Sequence, residues 1–314
     1  MGIPTSIFIL VGYSVGYYST VASALRIQLE NLFRPEWSPL YVGDRPRFAT
    51  ATSVRLLDEQ TLVCSSLLAR KIYLIRFDLA CGSYTVLDGV DTIYSGSPTQ
   101  TDLCDIDALG HGYVITSNCE SGGMSIYRVS RDKISHDRDL FTGLSGNYCH
   151  GARFCGPDVV AATALRDPRG VHFYDVQTMR KLLYVSTDRL PKDVCFLPDN
   201  RAVVITTDGA PLPERSSARN VSELLLIEYD LARGTSVIVN RQMCEARQLD
   251  SVVLYEDRLY ISDSHGGRIL VVDTRTLRQI YQIEGYDFPH GVDVRHGMLA
   301  VACYGTNAIH VGSI

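Results

Sequence analysis

LDSVVLYEDRLYISDSHGGRILVVDTRT, residues 249–276, holds three β-branched and aromatic runs separated by turn formers. LDSVVLY ends at Glu256 and Asp257, RLYISDS ends at His265, Gly266 and Gly267, and RILVVDTR is followed by a fourth run, RQIYQIE. Short apolar runs bounded in this way read as consecutive antiparallel strands. Five other segments share the layout. Their first strands are ATSVRLL, LCDIDAL, CHGARF, PKDVCFL and PHGVDV, and their second strands are TLVCSSL, GYVITSN, DVVAATA, RAVVITT and MLAVACY. The third strands, KIYLIRFD, GMSIYRVS, GVHFYDVQ, ELLLIEYD and AIHVGSI, often close on an acidic residue, and KLLYVST and TSVIVNR serve as fourth strands. Superposing the units puts Thr52, Cys104, His150, Lys192, Asp250 and His290 at one equivalent position, with spacings of 52, 46, 42, 58 and 40. A period of about 40–50 residues with four strands per unit predicts an all-β, six-bladed β-propeller with four-stranded antiparallel blades.

The sixth unit stops at Ile314 after three strands, so a strand from the other end of the chain is needed to complete it. SPLYVG at 38–43 resembles the fourth strands and is expected to close the ring, which removes an exposed edge. The chain then divides into an N-terminal extension, 1–37, and a propeller, 38–314. In the extension, TVASALRIQLENLF carries Val21, Leu25, Leu29 and Leu32 at helical spacing behind Ser19 or Thr20, which predicts an amphipathic helix; a seventh half-blade is the alternative. The polar, Pro-containing GAPLPERSSARN at 209–220 accounts for the long spacing of 58 as a loop inside the fourth blade.

A content of 46% hydrophobic and 21% charged residues over 314 residues excludes a disordered chain and a polytopic membrane protein. The net charge of -5, with 26 Arg and 4 Lys scattered along the chain, gives no basic footprint, so no nucleic-acid partner is expected. Nine Cys without a C-x-x-C pair disfavour a zinc ribbon or a thioredoxin-like motif. Several lie in apolar strands, as in TLVCSSL, where a thiol packs as a small hydrophobe, and a reducing, cytoplasmic compartment is the simpler reading. Residues 1–25 carry no charged side chain and end near an A-S-A triplet. They read as a buried strand or docking segment rather than a membrane span; the alternative, a cleaved signal or anchor, would make the protein secreted or periplasmic.

The run at 249–276 resembles an NHL-type or YVTN-type propeller repeat, in which an apolar strand leads into a "lyvaDs...ri.vfd" pattern, and FPHGVDVRHGMLAVACYGTNAIHV at 288–311 is similar. The resemblance covers roughly residues 45–314 and implies the propeller fold. It also implies kinship by fold with calcium-dependent lactonases and phosphotriesterases, strictosidine synthase-like enzymes and metal-dependent lyases. Such repeats serve enzymes and scaffolds alike, so function has to be argued from the site. The acidic and Asn pattern of the calcium-dependent group has no counterpart here.

In a propeller the start of each first strand looks into the mouth of the central channel, so six blades deliver six side chains to one funnel. A structural ring would hold mostly small or apolar groups. Here it holds Thr52, Cys104, His150, Lys192, Asp250 and His290, with Asp105 and Asp193 one residue on. His150 and His290 fall in the third and sixth blades and are expected to face each other across the channel. One reading is a divalent metal ion (Zn, Ca or Mn) on His150 and His290 with Asp250 or Asp105, keeping an open position. Without metal, either His serves as general base, Lys192 anchors an anionic substrate and Asp250 orients His290. The bland reading is that each His bonds a backbone carbonyl of the next loop.

Asp105, Cys104, Thr52, Tyr148, Phe288 and Tyr304 are the expected substrate-binding residues, the aromatics lining an apolar wall. Cys104 as a nucleophile beside His150 is a weaker alternative. No phosphate-binding Gly-rich loop, G-x-S-x-G elbow or H-E-x-x-H helix occurs. The expected function is a small-molecule-transforming enzyme of lyase, cyclase or hydrolase type acting on an oxygenated or anionic substrate. The alternative is a non-catalytic scaffold for a protein or ligand partner, marked by an exposed apolar patch on one face of the disc.

Overall fold

The computed structural model describes residues 24–28, 51–67, 70–92, 103–110, 112–119, 121–144, 148–208 and 221–314. The first blade is β2 (Ala51–Leu56), β3 (Thr61–Ser66), β4 (Lys71–Asp78) and β5 (Ser83–Asp91), following a short β1 (Ala24–Gln28). The second is β6 (Leu103–Leu109), β7 (Tyr113–Asn118), β8 (Gly123–Ser130) and β9 (Lys133–Leu140). The third is β10 (Cys149–Phe154), β11 (Val159–Ala164), β12 (Gly170–Asp175) and β13 (Lys181–Ser186). The fourth is β14 (Leu190–Leu197), β15 (Arg201–Thr207), β16 (Ser222–Asp230) and β17 (Thr235–Cys244). The fifth is β18 (Leu249–Tyr255), β19 (Arg258–Asp263), β20 (Arg268–Asp273) and β21 (Gln279–Glu284). The sixth is β22 (Pro289–Arg295), β23 (Met298–Cys303) and β24 (Ala308–Ser313), completed by β1.

These are six four-stranded antiparallel sheets, as the repeat predicts. First strands are buried on both faces, as in β2, whereas the outer β17 is mostly exposed. The core is divided into six apolar clusters, one at each junction between neighbouring blades. The junction of the first and last blades packs Val54, Leu56 and Leu62 against Ala300, Ala302 and Ile309, so the ring closes through its core as well as through its edge strand. The acid that ends many third strands builds the next turn. Asp78, Asp175, Asp230 and Asp273 each accept two backbone N–H groups from the residues two and three positions on, at 2.7–3.4 Å.

The closing strand differs from expectation. Leu25 pairs with Val311 and Ile27 with Ile309, so the strand on the open edge of β24 is Ala24–Gln28, inside the stretch predicted as a helix. Residues 38–43, expected there, lie outside the described residues, as does the loop at 209–220. ALRIQ alternates apolar and polar residues as well as carrying part of a helical pattern, and an unpaired edge offers it a ladder of hydrogen bonds that a helix would forgo. Among the described residues no helix is long and apolar enough to cross a membrane.

Among the described residues seven cysteines are free thiols, Cys64, Cys149, Cys195 and Cys303 being buried, and Cys119 is disulfide-bonded. Burial pushes the thiols of Cys64, Cys149 and Cys195 up to about 12, which leaves them unreactive.

Candidate active site at the channel mouth

The mouth residues owe their position to a feature repeated in every blade. Where the first strand starts, its pairing with the second strand slips, between Ala51 and Ser53, Leu103 and Ile106, Cys149 and Ala152, Pro191 and Asp193, Leu249 and Val252, and Pro289 and Gly291. Thr52, Cys104, His150, Lys192, Asp250 and His290 all fall in these irregularities. A β-bulge frees one residue from the ladder and re-aims its side chain, and the bulges of the third to sixth blades bring the side chains of His150, Lys192, Asp250 and His290 together at one funnel.

Hydroxyl groups on the second strands then hold the backbone of the following blade. Ser117 donates to the His150 carbonyl at 2.6 Å, Thr163 to that of Lys192 at 3.0 Å and Ser262 to that of His290 at 2.7 Å. The glycine after each mouth histidine allows the blades to close. A Cβ at Gly291 would lie 2.5 Å from Ser53 Cα and 2.8 Å from the Thr52 carbonyl, and one at Gly151 would meet the Lys192 carbonyl and Asp193 Oδ1 at 3.0 Å. With that contact in place, the His150 Nδ1–H donates to the Lys192 carbonyl and the His290 Nδ1–H to the Thr52 carbonyl, both at 2.9 Å. Each ring is fixed by the next blade through Nδ1, and its Nε2 lies outside that bond. The rings, from the third and sixth blades, face each other and stack with centroids 5.6 Å apart.

Beside them lie Lys192 and Asp250. Lys192 Nζ is 3.2 Å from Asp250 Oδ1 and 3.4 Å from His150 Nε2, and His150 Nε2 is 3.9 Å from the same carboxylate oxygen. Asp250, 1% exposed, also accepts Gln248 Nε2 on both oxygens at 3.0 and 3.1 Å and the Ser264 hydroxyl on Oδ2. Burial opposes ionisation of Asp250, but Lys192, both imidazoles and Ser264 hold its carboxyl well below the usual carboxylate range. Burial, reinforced by Lys192, drives His150 well below the ordinary histidine value, so its imidazole is neutral at physiological pH. His150, Asp250 and His290 each offer a ligand atom, all within 4.8 Å of one another.

The other expected site residues separate into two groups. Tyr148, Phe288 and Tyr304 are half-buried at the mouth, with Phe288 and Tyr304 rings 5.5 Å apart and Tyr304 6.2 Å from His290. Tyr148 and Phe288, each two residues before a mouth histidine, share a left-handed φ of 59° and 52°. Thr52 is buried, its hydroxyl 2.9 Å from Ser65 Oγ, and it contributes its carbonyl rather than its side chain. It is this carbonyl, not Asp250, that orients His290. Cys104 is placed on β6, where the structure describes its backbone alone.

Asp105 does not line the mouth. It lies one layer deeper, bonded by Ser53 at 2.6 Å and paired with Arg153 at 2.5 Å. Asp193 joins the same layer, accepting Arg153 and the Val252 N–H at 2.8 Å, and so does not neutralise Lys192. Arg55 completes it through Asp107 at 3.2 Å. This ionic layer crosses the channel between its two ends. Below it, at the C-terminal ends of the first strands, is a cavity of about 680 Å³ whose lining includes Arg55, Asp107, Arg153, Asp293 and Arg295.

Sequence reasoning missed Gln248 and Ser264, which hold Asp250, and the whole buried layer. Ser264 was legible only as part of a turn, because its neighbour in space belongs to another strand.

No family model matches the chain, and no curated protein matches it. Among solved structures it is similar to hydrazine synthase of Kuenenia stuttgartiensis, with a TM-score of 0.58 and 12% identity over 87% of this chain and 99% of that one. It is also similar to the computationally designed Ika8 protein, with a TM-score of 0.46 and 13% identity over 84% and 71% of the respective chains. At such identity the likeness to hydrazine synthase shows the propeller fold.

Proposed function

We propose that the chain is an enzyme that transforms a small oxygenated or anionic molecule at the channel mouth by acid–base chemistry of the lyase or hydrolase kind. One observation carries this reading. Two imidazoles with Nδ1 tied to backbone leave both Nε2 atoms beside an amine and a buried carboxylate, in a funnel walled by aromatic rings. His150 offers Nε2 as proton acceptor, burial and Lys192 disfavouring its imidazolium in the free site, and Lys192 is positioned to attract a substrate carboxylate whose negative charge offsets that penalty. Asp250 keeps the Lys192 amine over the funnel. The NHL- and YVTN-like repeat pattern fits this use, since such propellers include enzymes, and the likeness to a protein named hydrazine synthase agrees with a catalytic propeller without indicating a substrate.

The scaffold alternative draws on Val237, Val239 and Met243, exposed along the outer strand β17. They lie on the rim of the disc rather than on the channel-mouth face, and the polar convergence at the mouth favours the enzyme.

The test is a thermal-shift screen of hydroxy acids, keto acids and sugar acids, followed by turnover assays on those that bind. The double variant His150→Asn, His290→Asn keeps an amide donor for each backbone carbonyl and removes both Nε2 bases. It is expected to retain the fold and lose about 100-fold or more in turnover. Full activity in this variant would refute the reading.

A further inference from the structure

The geometry points to a divalent-cation site at the channel mouth, with His150, His290 and Asp250 as ligands and the Lys192 amine holding the place that the metal takes. The inference rests on the same ring residues as the proposed active site and deepens that reading: with both Nε2 atoms taken as ligands, the proton acceptor would be a water held by the metal rather than an imidazole. Three donor atoms already lie within 4.8 Å of one another. Ligands about 2.0–2.2 Å from one ion stand roughly 3.4 Å apart in a tetrahedral site, so a small side-chain movement closes the set.

What surrounds the donors is the stronger argument. Histidines that bind metal donate their other ring N–H to a carbonyl or carboxylate, which fixes the tautomer and the ring. Both mouth histidines do so, His150 to the Lys192 carbonyl and His290 to the Thr52 carbonyl. The third donor is likewise supported, Asp250 accepting hydrogen bonds from Gln248 and Ser264 that fix its carboxylate in place.

Lys192 fits this arrangement as a stand-in cation. Its Nζ bridges Asp250 Oδ1 at 3.2 Å and His150 Nε2 at 3.4 Å, two of the three atoms the metal would use. An ammonium and a divalent ion cannot share that space, so metal binding swings Lys192 out toward the funnel, where it meets the substrate. Two nitrogens and one oxygen suit Zn²⁺, Co²⁺ or Mn²⁺ and not Ca²⁺, which takes six or more oxygens. Three protein ligands leave open positions for water or a substrate oxygen.

The experiment is titration of chelator-stripped protein with Co²⁺ and with Zn²⁺, followed by visible absorption and by calorimetry, on the wild type, Lys192→Gln and the His150→Asn, His290→Asn double variant. The wild type is expected to take up one ion per chain with the absorption of nitrogen-ligated cobalt. Lys192→Gln should bind about tenfold tighter, equivalent to about 1.4 kcal/mol, because its competitor is gone. The double variant should lose about 100-fold or more in affinity. Absence of stoichiometric binding in both the wild type and Lys192→Gln would overturn the site, and equal affinity in those two would overturn the displacement by metal. Neither result bears on acid–base turnover, which is measured separately in the presence of chelator.

Discussion

Replacing Arg153 by Met removes the charge at the centre of the buried layer while keeping most of the side-chain volume. Arg153 is 4% exposed, pairs with Asp105 at 2.5 Å and with Asp193, and donates to the carbonyls of Ile106 and Ala152 at 3.0 and 3.1 Å. Burial disfavours its charge, but Asp105, Asp193 and Asp107 hold its pKa above the ordinary arginine value. The variant leaves Asp193 without a cation in contact and Asp105 with only Arg55, 3.8 Å away. Breaking a buried pair on one side costs about 3–5 kcal/mol, which for a chain of this size lowers Tm by on the order of 10 °C.

The pH dependence follows from Asp193, which burial pushes upward against the pull of Arg153. Without that pull its folded pKa rises further above the unfolded value, so the folded variant holds a proton that the unfolded chain releases. Stability from such a group is fully present below the unfolded pKa of about 3.9 and is lost as pH rises toward the folded pKa, at up to about 1.4 kcal/mol per unit. Differential scanning calorimetry of wild type and variant between pH 5 and 8 is therefore expected to show a deficit that shrinks toward pH 5. The control is Arg128→Met, whose partner Asp137 lies 3.3 Å away at the surface and which should cost no more than about 1 kcal/mol. An unchanged Tm for Arg153→Met at pH 7.5, or a deficit that widens toward acid, would refute the reasoning.

Gly291→Ala should destabilise by about 3 kcal/mol, because the new methyl meets backbone at 2.5 Å across the junction of the first and last blades; Gly151→Ala, with contacts of 3.0 Å, should cost less, about 1–2 kcal/mol, and the reverse order in chemical denaturation would contradict the packing. His172, fully buried against Tyr184, is depressed to about 4 by burial, so it is neutral in the fold and charged in the acid-unfolded chain. Its contribution is present above the unfolded value of about 6.5 and is lost as pH falls toward 4, by at most about 1.4 kcal/mol per unit; His172→Phe should flatten the decline of Tm over that window. Ser264→Ala removes a hydrogen bond to Asp250 and should weaken Co²⁺ uptake by about 10-fold or more, measured by the same absorption titration, with little change in secondary structure by circular dichroism.

Local chemistry made most of the architecture legible. The alternation of apolar runs and turn formers in residues 249–276, repeated six times, identified blades, strand order and the mouth positions, because strand pairing between neighbours in sequence is set by short turns. The acids ending the third strands could be read as turn builders for the same reason. The sequence by itself also determined that His150, Lys192, Asp250 and His290 occupy equivalent places. It could not tell which of them meet. Lys192 pairs with Asp250 of the next blade rather than with the adjacent Asp193, Asp105 turns down to Arg153, and Thr52 serves through its carbonyl, because each of these contacts crosses between blades. Only ring closure sets the distance between residues 238 positions apart, as for His290 and Thr52, and only the bulge at each strand start decides whether a side chain turns to the funnel or into the layer beneath it. The tertiary structure likewise chose Ala24–Gln28 as the closing strand, since the preference of so short a segment is decided by the edge it is offered.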